Sequence, residues 1–176
     1  NSASNPILEN LIISNNETTS KGGGIYLDYG TGIPSGRKLL ITDNYAEGHG
    51  GGVFLSASSN INLFNTTIAS NIVGGEFSVG AGIYADGGEA NLVNSIVYYN
   101  RKNGSSNVDY NLNGYYVYLY EFNLFYSNIE ADEWFPSGEP IISEDPQFLD
   151  LESGDYRLQE GSPCIDSGTF DIDFDG

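Results

Sequence analysis

The sequence predicts an all-β fold, a right-handed parallel β-helix (a solenoid) of about five coils with a C-terminal cap. One Asn recurs every 27 to 29 residues, an apolar residue precedes each copy by three positions, and a Gly-apolar-aromatic triplet marks three of the repeats. Self-similarity at a fixed period indicates stacked repeats. The recurring residues are Asn16, Asn44, Asn71, Asn100 and Asn128.

Each repeat contains only short apolar runs, such as Leu39–Ile41 and Ile96–Tyr99, separated by Gly, Asn, Ser and Asp. β-Branched and aromatic runs with such punctuation are typical of strands. Neither the Leu ladder of a leucine-rich repeat nor the 3.6-residue period of helical repeats is present. Two or three short strands per coil are therefore expected, each paired with its equivalent in the next coil. Parallel crossovers are nearly always right-handed, which sets the expected hand.

The recurring Asn is expected to form a ladder of side-chain amide hydrogen bonds along the coil axis. Asn also tolerates the left-handed backbone region, so the ladder residue itself is expected at a tight corner. The apolar residues three positions earlier should point inward and stack. This row is Ile13, Ile41, Ile68, Val97 and Phe125.

Two segments differ from the repeat in composition. The stretch from Gly74 to Ser78 lengthens the third coil, and the polar stretch from Asp28 to Gly36 is predicted to be a corner loop. Residues 1–130 are therefore assigned to the β-helix. Residues 131–176, which are richer in Pro and acid and lack the repeat, are assigned to a C-terminal cap and acidic tail.

The charge of the chain limits its partners. Asp plus Glu number 24 and Lys plus Arg number 6, a net charge of −18. Nucleic acid requires a basic surface, so no nucleic-acid partner is expected. No apolar run is long enough to span a bilayer, so no membrane insertion is expected in this segment. The lone Cys164 excludes an internal disulfide, and a packing role is expected for it.

Alternating aromatics occur at Tyr115, Tyr116, Tyr118 and Tyr120. If one face of such a strand is exposed, these rings can stack on sugars or contact a protein, which makes them candidate ligand-binding residues. The alternative is that they pack beneath the cap, covered by Trp134 and Phe135.

The chain ends in Asp-x-Asp-x-Asp-Gly, with Asp171, Asp173 and Asp175 at alternate positions. This pattern matches the first half of a Ca²⁺-binding loop, so these residues are candidate metal ligands and Ca²⁺ is a candidate cofactor. An acidic linker or a frayed terminus is the alternative.

Two motifs carry a family resemblance. Gly22–Tyr26 and the spacing Phe125-x-x-Asn128 resemble the repeats of chlamydial-type polymorphic outer membrane proteins, and more widely those of secreted bacterial parallel β-helices. The tail from Asp145 to Gly168 resembles the segment that closes many such β-helices. The resemblance implies a secreted or cell-surface location and, in many members, adhesion.

No catalytic residue is assigned. The basic side chains lie apart from any acidic cluster, and the equivalents of Asp43 in other coils are Asn15, Ser70, Tyr99 and Ser127, so no acidic row forms. The leading hypothesis is a non-catalytic adhesin or structural stalk that contacts a cell-surface glycan or protein. One alternative is a carbohydrate-binding or polysaccharide-cleaving (lyase or hydrolase) β-helix. Another is a filament subunit that stacks head to tail on copies of itself.

Overall fold

A computed structural model describes residues 5–29, 32–105, 111–114, 122–130 and 140–169. These residues form a parallel β-solenoid of about four turns, without helices. The predicted fold class is therefore confirmed, with about four turns in place of about five. Each turn contains four strands rather than the two or three that the short apolar runs suggested.

The strands follow the chain in order around each turn. The first turn contains β1 (Ile7–Glu9), β2 (Ile12–Ser14), β3 (Glu17–Thr18) and β4 (Ile25–Leu27). The second contains β5 (Ser35–Arg37), β6 (Leu40–Thr42), β7 (Tyr45–Ala46) and β8 (Val53–Leu55). The third contains β9 (Asn60–Phe64), β10 (Thr67–Ala69), β11 (Ile72–Val73) and β12 (Ile83–Ala85). The fourth contains β13 (Glu89–Val93), β14 (Ile96–Tyr98), β15 (Arg101–Lys102) and β16 (Leu112–Gly114). A further partial turn begins with β17 (Phe122–Phe125) and β18 (Ser127–Ile129).

Equivalent strands stack into four parallel sheets, which form the faces of the solenoid. Face A is β1-β5-β9-β13-β17, face C is β3-β7-β11-β15, and face D is β4-β8-β12-β16. Face B is β2-β6-β10-β14-β18, followed by β19 (Ile141–Ile142), which pairs in parallel with β18.

The interior is filled by rows of apolar side chains that stack from turn to turn. On face B the register aligns Ile13, Ile41, Ile68 and Val97, as predicted. The last three of these are fully buried. Burial of a side chain of this size contributes about 1.5–3 kcal/mol, so the stacked rows are a major source of stability.

The fifth member of that row is not the predicted one. Ile129, not Phe125, pairs with Val97, and Phe125 instead pairs with Val93 on face A. The step from the fourth turn to the fifth is 32 residues at Ser95 and Ser127, compared with 27 to 29 along the ladder. Because the fourth turn is about four residues longer, a residue of the fifth turn pairs with the residue 32 positions earlier and not with the one 28 positions earlier.

Described residues near the C-terminus fold back along the outside of the solenoid. After β19, strands β20 (Phe148–Asp150) and β21 (Asp155–Leu158) form an antiparallel hairpin. The Tyr156 hydroxyl donates to Asp43 Oδ2 at 3.0 Å, in the second turn, and the ring of Phe148 lies 6.3 Å from that of Tyr99. Burial, with a further contribution from the Asp43 carboxylate, raises the pKa of Tyr156 to about 12. This segment therefore extends face B by one strand and also contacts the corner beside face B.

Gly51 offers a test of how closely successive turns pack. A Cβ at this position would lie 2.6 Å from the carbonyl oxygen of Ile72 and 2.7 Å from that of Ala81, both in the next turn. Because backbone atoms of a paired strand cannot rotate away, we expect Gly51→Ala to lower the free energy of unfolding by about 3 kcal/mol. Chemical denaturation measures the loss. Gly154→Ala is the control, since a Cβ there meets nothing within 4 Å and only its left-handed backbone costs about 1 kcal/mol. Equal losses in the two variants would contradict close packing at Gly51.

Candidate functional site

A ladder of buried Asn side chains runs through the solenoid between faces B and C. The Nδ2 groups of Asn16, Asn44 and Asn71 each donate to the Oδ1 of the ladder Asn one turn later, at 2.9 Å in each case. The backbone N–H of each donates to the same oxygen at 3.0–3.1 Å. The ladder predicted for the first four turns is therefore confirmed.

Each inner ladder amide also donates a hydrogen bond to the preceding turn. Nδ2 of Asn44, Asn71 and Asn100 donates at 2.9 Å to the backbone carbonyl of the inward apolar residue one turn earlier. Those carbonyls belong to Ile13, Ile41 and Ile68. One amide thus connects three consecutive turns, and its side chain has no exposed surface. Because buried polar groups are costly unless paired, Asn is required at these positions.

The ladder ends on residues that the sequence period did not reveal. Asn100 Nδ2 donates at 2.8 Å to Asn111 Oδ1, only 11 residues later in the chain. Asn111 Nδ2 then donates to Glu130 Oε2 at 3.1 Å. The same carboxylate accepts two hydrogen bonds from Arg101, at 2.6 and 2.7 Å, and one from the Tyr99 N–H at 2.7 Å. An ion pair between the buried Glu130 and the partly exposed Arg101 therefore terminates the row of amides.

The predicted fifth ladder residue, Asn128, lies elsewhere. It aligns with Ile96 on face B, and its Nδ2 donates to the Glu144 carbonyl at 2.7 Å and to Cys164 Sγ at 3.0 Å. The longer fourth turn explains the difference, because it shifts Asn128 off the ladder position. Burial raises the pKa of the half-buried Cys164 thiol, and the contact with Asn128 fits the packing role expected for this residue.

The left-handed corner positions are occupied by the residues before the ladder Asn, not by the ladder Asn itself. Asn15, Asp43, Ser70 and Tyr99 have φ values of 57–58°. A second row of left-handed corners separates faces A and B, at Asn10, Lys38, Asn65, Asn94 and Tyr126. The expectation that the ladder Asn occupies the left-handed region was therefore wrong. Its side chain points inward, and the preceding residue makes the turn.

An aromatic row runs along the outside of face D. Tyr26, Phe54 and Tyr84, the third residues of the Gly-apolar-aromatic triplets, stack with ring centroids 5.2 and 5.6 Å apart. Lys21 Nζ lies 4.6 Å from the Phe54 ring centroid and 3.7 Å from Asp86 Oδ2, so it bridges the first and third turns. The sequence showed the triplets, but the stack requires the turn-to-turn register.

The histidine of this chain lies beside the aromatic row. The His49 ring is 4.3 Å from that of Tyr84, and its Nδ1 accepts a hydrogen bond from the Val79 N–H at 3.2 Å. Burial, assisted by the nearby Lys21 charge, lowers the pKa of His49 below its ordinary value of 6.5. The neutral imidazole is therefore the form that suits the folded state.

A second Asn row lies on the outside of face A. Asn123 Nδ2 donates to Asn91 Oδ1 at 2.7 Å, and Asn91 Nδ2 donates to Asn62 Oδ1 at 2.8 Å. Its amides point toward the N-terminal turn, opposite to those of the inner ladder. In the neighbouring outward row, Arg37 lies over the Phe64 ring at 4.8 Å. Face A therefore presents hydrogen-bonding amides beside an aromatic ring.

Two sets of candidate residues lie outside the described part of the chain. They are the binding candidates Tyr115, Tyr116, Tyr118 and Tyr120, and the Ca²⁺ candidates Asp171, Asp173 and Asp175. Their roles remain predictions, as does that of Ca²⁺. Among the described residues, no group of three or more His, Cys, Asp or Glu side chains is arranged to hold a metal ion.

Comparison with known protein families identifies one repeat. Residues 10–28 match the Chlamydia polymorphic membrane protein repeat. This stretch contains the first ladder residue, Asn16, and the run Gly22–Tyr26, so the resemblance seen in the sequence is confirmed. The predicted location, secreted or at the cell surface, is confirmed by the same match.

Comparison with curated proteins and with solved structures yields no significant match. Within the described residues, no helix has the length and apolar character required to cross a bilayer.

Removing one inner rung should be far more damaging than removing the exposed first one. Asn71→Ala leaves several buried donors and acceptors without partners, so we expect the free energy of unfolding to fall by about 3–5 kcal/mol. Asn16→Ala is the matched control, because its side chain is exposed, and we expect a loss of about 1 kcal/mol. Denaturant titration measures both. Similar losses at the two positions would show that burial of the amide does not determine how much a ladder Asn contributes to the free energy of unfolding.

His49 should make stability depend on pH. The folded-state pKa of His49 is below 6.5, so between the two pKa values the unfolded chain binds more protons. The contribution of neutral His49 to the free energy of unfolding is complete above the pKa that His49 has in the unfolded chain. It is lost as the pH falls toward the lower pKa of His49 in the folded chain. We expect His49→Gln to reduce the drop in Tm between about pH 7.5 and 5.5. His49 is the only histidine in the chain, so its NMR titration can be assigned without ambiguity. A midpoint above 6.5 would contradict the burial argument.

Proposed function

We propose that this chain is a non-catalytic module of a bacterial surface protein, a rigid stalk that presents adhesive loops to a cell-surface glycan or protein. The observation that supports the proposal is the buried ladder, in which each inner amide connects three successive turns. An element bonded in this way along its axis resists bending and stretching. Rigidity of this kind suits a spacer that holds a binding surface away from the cell.

The corners of the solenoid supply candidate binding loops. Phe77, in the insertion between β11 and β12, has 83% of its surface exposed. Tyr29, between β4 and β5, is 74% exposed, and Ile33 in the same connection is also exposed. Large apolar side chains at loop tips are a common means of anchoring a partner, and insertions at solenoid corners leave the stacked faces undisturbed. The net charge of −18 keeps the module soluble while these side chains remain exposed.

An adhesion assay tests the proposal directly. Beads coated with the chain should bind cultured epithelial cells more than beads coated with albumin do. We expect Phe77→Ser to reduce binding several-fold because it removes an exposed aromatic anchor. Leu149→Ser, an exposed position on the C-terminal hairpin, should leave binding unchanged. Periodate treatment of the cells separates the partners, since it destroys glycans and spares most protein epitopes.

The proposed role as a rigid stalk is tested by the mechanical resistance of the chain. In single-molecule force spectroscopy the chain should resist extension until one abrupt unfolding event, and Asn71→Ala should lower the force required. Gradual extension at low force, together with beads that bind no better than albumin, would overturn the proposed function as a whole.

A further inference from the structure

A cleft of about 220 Å³ lies between the solenoid and the C-terminal segment. One wall is the row of left-handed corners between faces A and B, where Asn65, Asn94 and Tyr126 line the cleft. The other wall belongs to the C-terminal segment and includes Leu158 and Cys164. The two walls come from distant parts of the sequence, so the cleft is formed when this segment folds back over the solenoid.

Asn128 lines the cleft as well, and only 3% of its surface is exposed. Its Nδ2 group donates to the Glu144 carbonyl at 2.7 Å and to Cys164 Sγ at 3.0 Å, which uses both amide hydrogens. Its Oδ1 is buried and accepts no hydrogen bond from any residue that the structure describes. Because a buried acceptor without a donor is costly, a ligand that brings a donor to this oxygen gains affinity.

The lining of the cleft is polar but uncharged. It consists of amide, hydroxyl, phenol and thiol groups with a few apolar side chains, and the described lining residues include no Lys, Arg, His, Asp or Glu. Burial, with smaller contributions from the nearby carboxylates of Asp145 and Glu144, raises the pKa of Cys164, so its thiol is neutral at physiological pH. An anion would meet these carboxylates without a basic side chain to bind it, and a metal cation would find no carboxylate in the lining. The cleft therefore suits a neutral ligand.

The size and the walls of the cleft fit a single six-membered ring. A cavity of about 150 Å³ holds one benzene molecule, so a cleft of about 220 Å³ admits one ring together with its substituents. Ile96 and Leu158 provide an apolar wall, and Tyr126 provides an aromatic one. Binding pockets combine such walls with a few polar groups that fix the orientation of the ligand. At the mouth of the cleft, the exposed Asn65 amide can both donate and accept hydrogen bonds.

We propose that the cleft binds one neutral hexopyranose, a sugar that combines a single ring, several hydroxyl donors and an apolar C–H face. One sugar hydroxyl donates to Asn128 Oδ1, and the Asn65 amide binds a second hydroxyl at the mouth of the cleft. The apolar face of the ring packs against Ile96, Leu158 and Tyr126. The exposed loop residues proposed above as adhesive anchors do not line this cleft, so sugar binding and cell adhesion can fail independently.

Cys164 supplies a direct measure of occupancy. It is the only cysteine of the chain and it lines the cleft, so a bound sugar should shield its thiol from alkylation. Intact-mass spectrometry follows the rate of reaction with iodoacetamide in the presence of glucose, galactose or N-acetylglucosamine. We expect at least one of these sugars to slow the reaction by about fivefold at saturation, as mass action requires. Sorbitol, an acyclic polyol with similar hydroxyl donors, is the control and should give no protection.

An amide NMR titration gives a second measurement that does not depend on the reactivity of the thiol. The same sugar should shift the backbone signals of residues that line the cleft, such as Ser95 and Ile96. If none of the three sugars slows alkylation or shifts these signals, or if sorbitol acts as strongly as the sugars, the cleft is not a hexopyranose site.

A matched pair of variants locates the site. Asn65→Ala removes the amide at the mouth, and we expect the dissociation constant of the sugar to rise by about three- to tenfold. Asn10→Ala is the control, because Asn10 occupies the same row of left-handed corners, is also exposed and does not line the cleft. Asn128→Ala removes the unpartnered acceptor and should abolish protection, with thermal unfolding used to check that the variant folds. Equal losses in Asn65→Ala and Asn10→Ala, or undiminished binding by folded Asn128→Ala, would contradict this site.

Discussion

The buried Asn amide is the interaction on which the rest of the solenoid depends. Its two hydrogens and one oxygen are all used, by the turn before, the turn after and the backbone of its neighbours. Because an unpaired amide in the core is costly, each turn must bring its Asn to the same place. This requirement fixes how faces B and C of one turn stack on those of the next. It does not fix the length of the connections between the other strands. The insertion between β11 and β12 and the long connection between β4 and β5 are therefore tolerated, and the spacing between ladder residues ranges from 27 to 29.

The fourth turn shows how the requirement is met when the simple period fails. Residues between β15 and β17 lengthen this turn, and an Asn 29 residues after Asn100 is not available at the ladder position. The side chain of Asn111, which lies directly before β16 in the same turn, supplies the acceptor instead, and the Arg101–Glu130 pair closes the row. Asn128 becomes free for another role, and its amide fastens the C-terminal segment to face B through Glu144 and Cys164. One displaced residue thus links the end of the ladder to the segment that folds back over the solenoid.

The side-chain rows on the outer surface are less strictly paired than the Asn ladder of the interior. Faces A and D carry their own rows, of amides and of aromatic rings, but these rows are partly exposed and include charged side chains such as Lys21 and Arg37. Such rows add turn-to-turn contacts without the strict pairing that the core demands. The same parallel stacking therefore yields a rigid interior and a varied exterior.

The sequence by itself determined the fold class, the ladder of the first four turns and the inward apolar row as far as Val97. These features repeat at a nearly constant interval, and a constant interval along the chain becomes a constant position in a solenoid. The tertiary structure alone decided the roles of Asn111 and Glu130, the displacement of Phe125 and Asn128, and the contact of Tyr156 with Asp43 across 113 residues. Pairing between residues that share no period depends on how the lengthened fourth turn closes and on where the C-terminal hairpin packs. The closure of the fourth turn and the packing of the hairpin leave no local pattern in the sequence. Both depend on which surfaces of the stacked coils are still exposed when these segments pack.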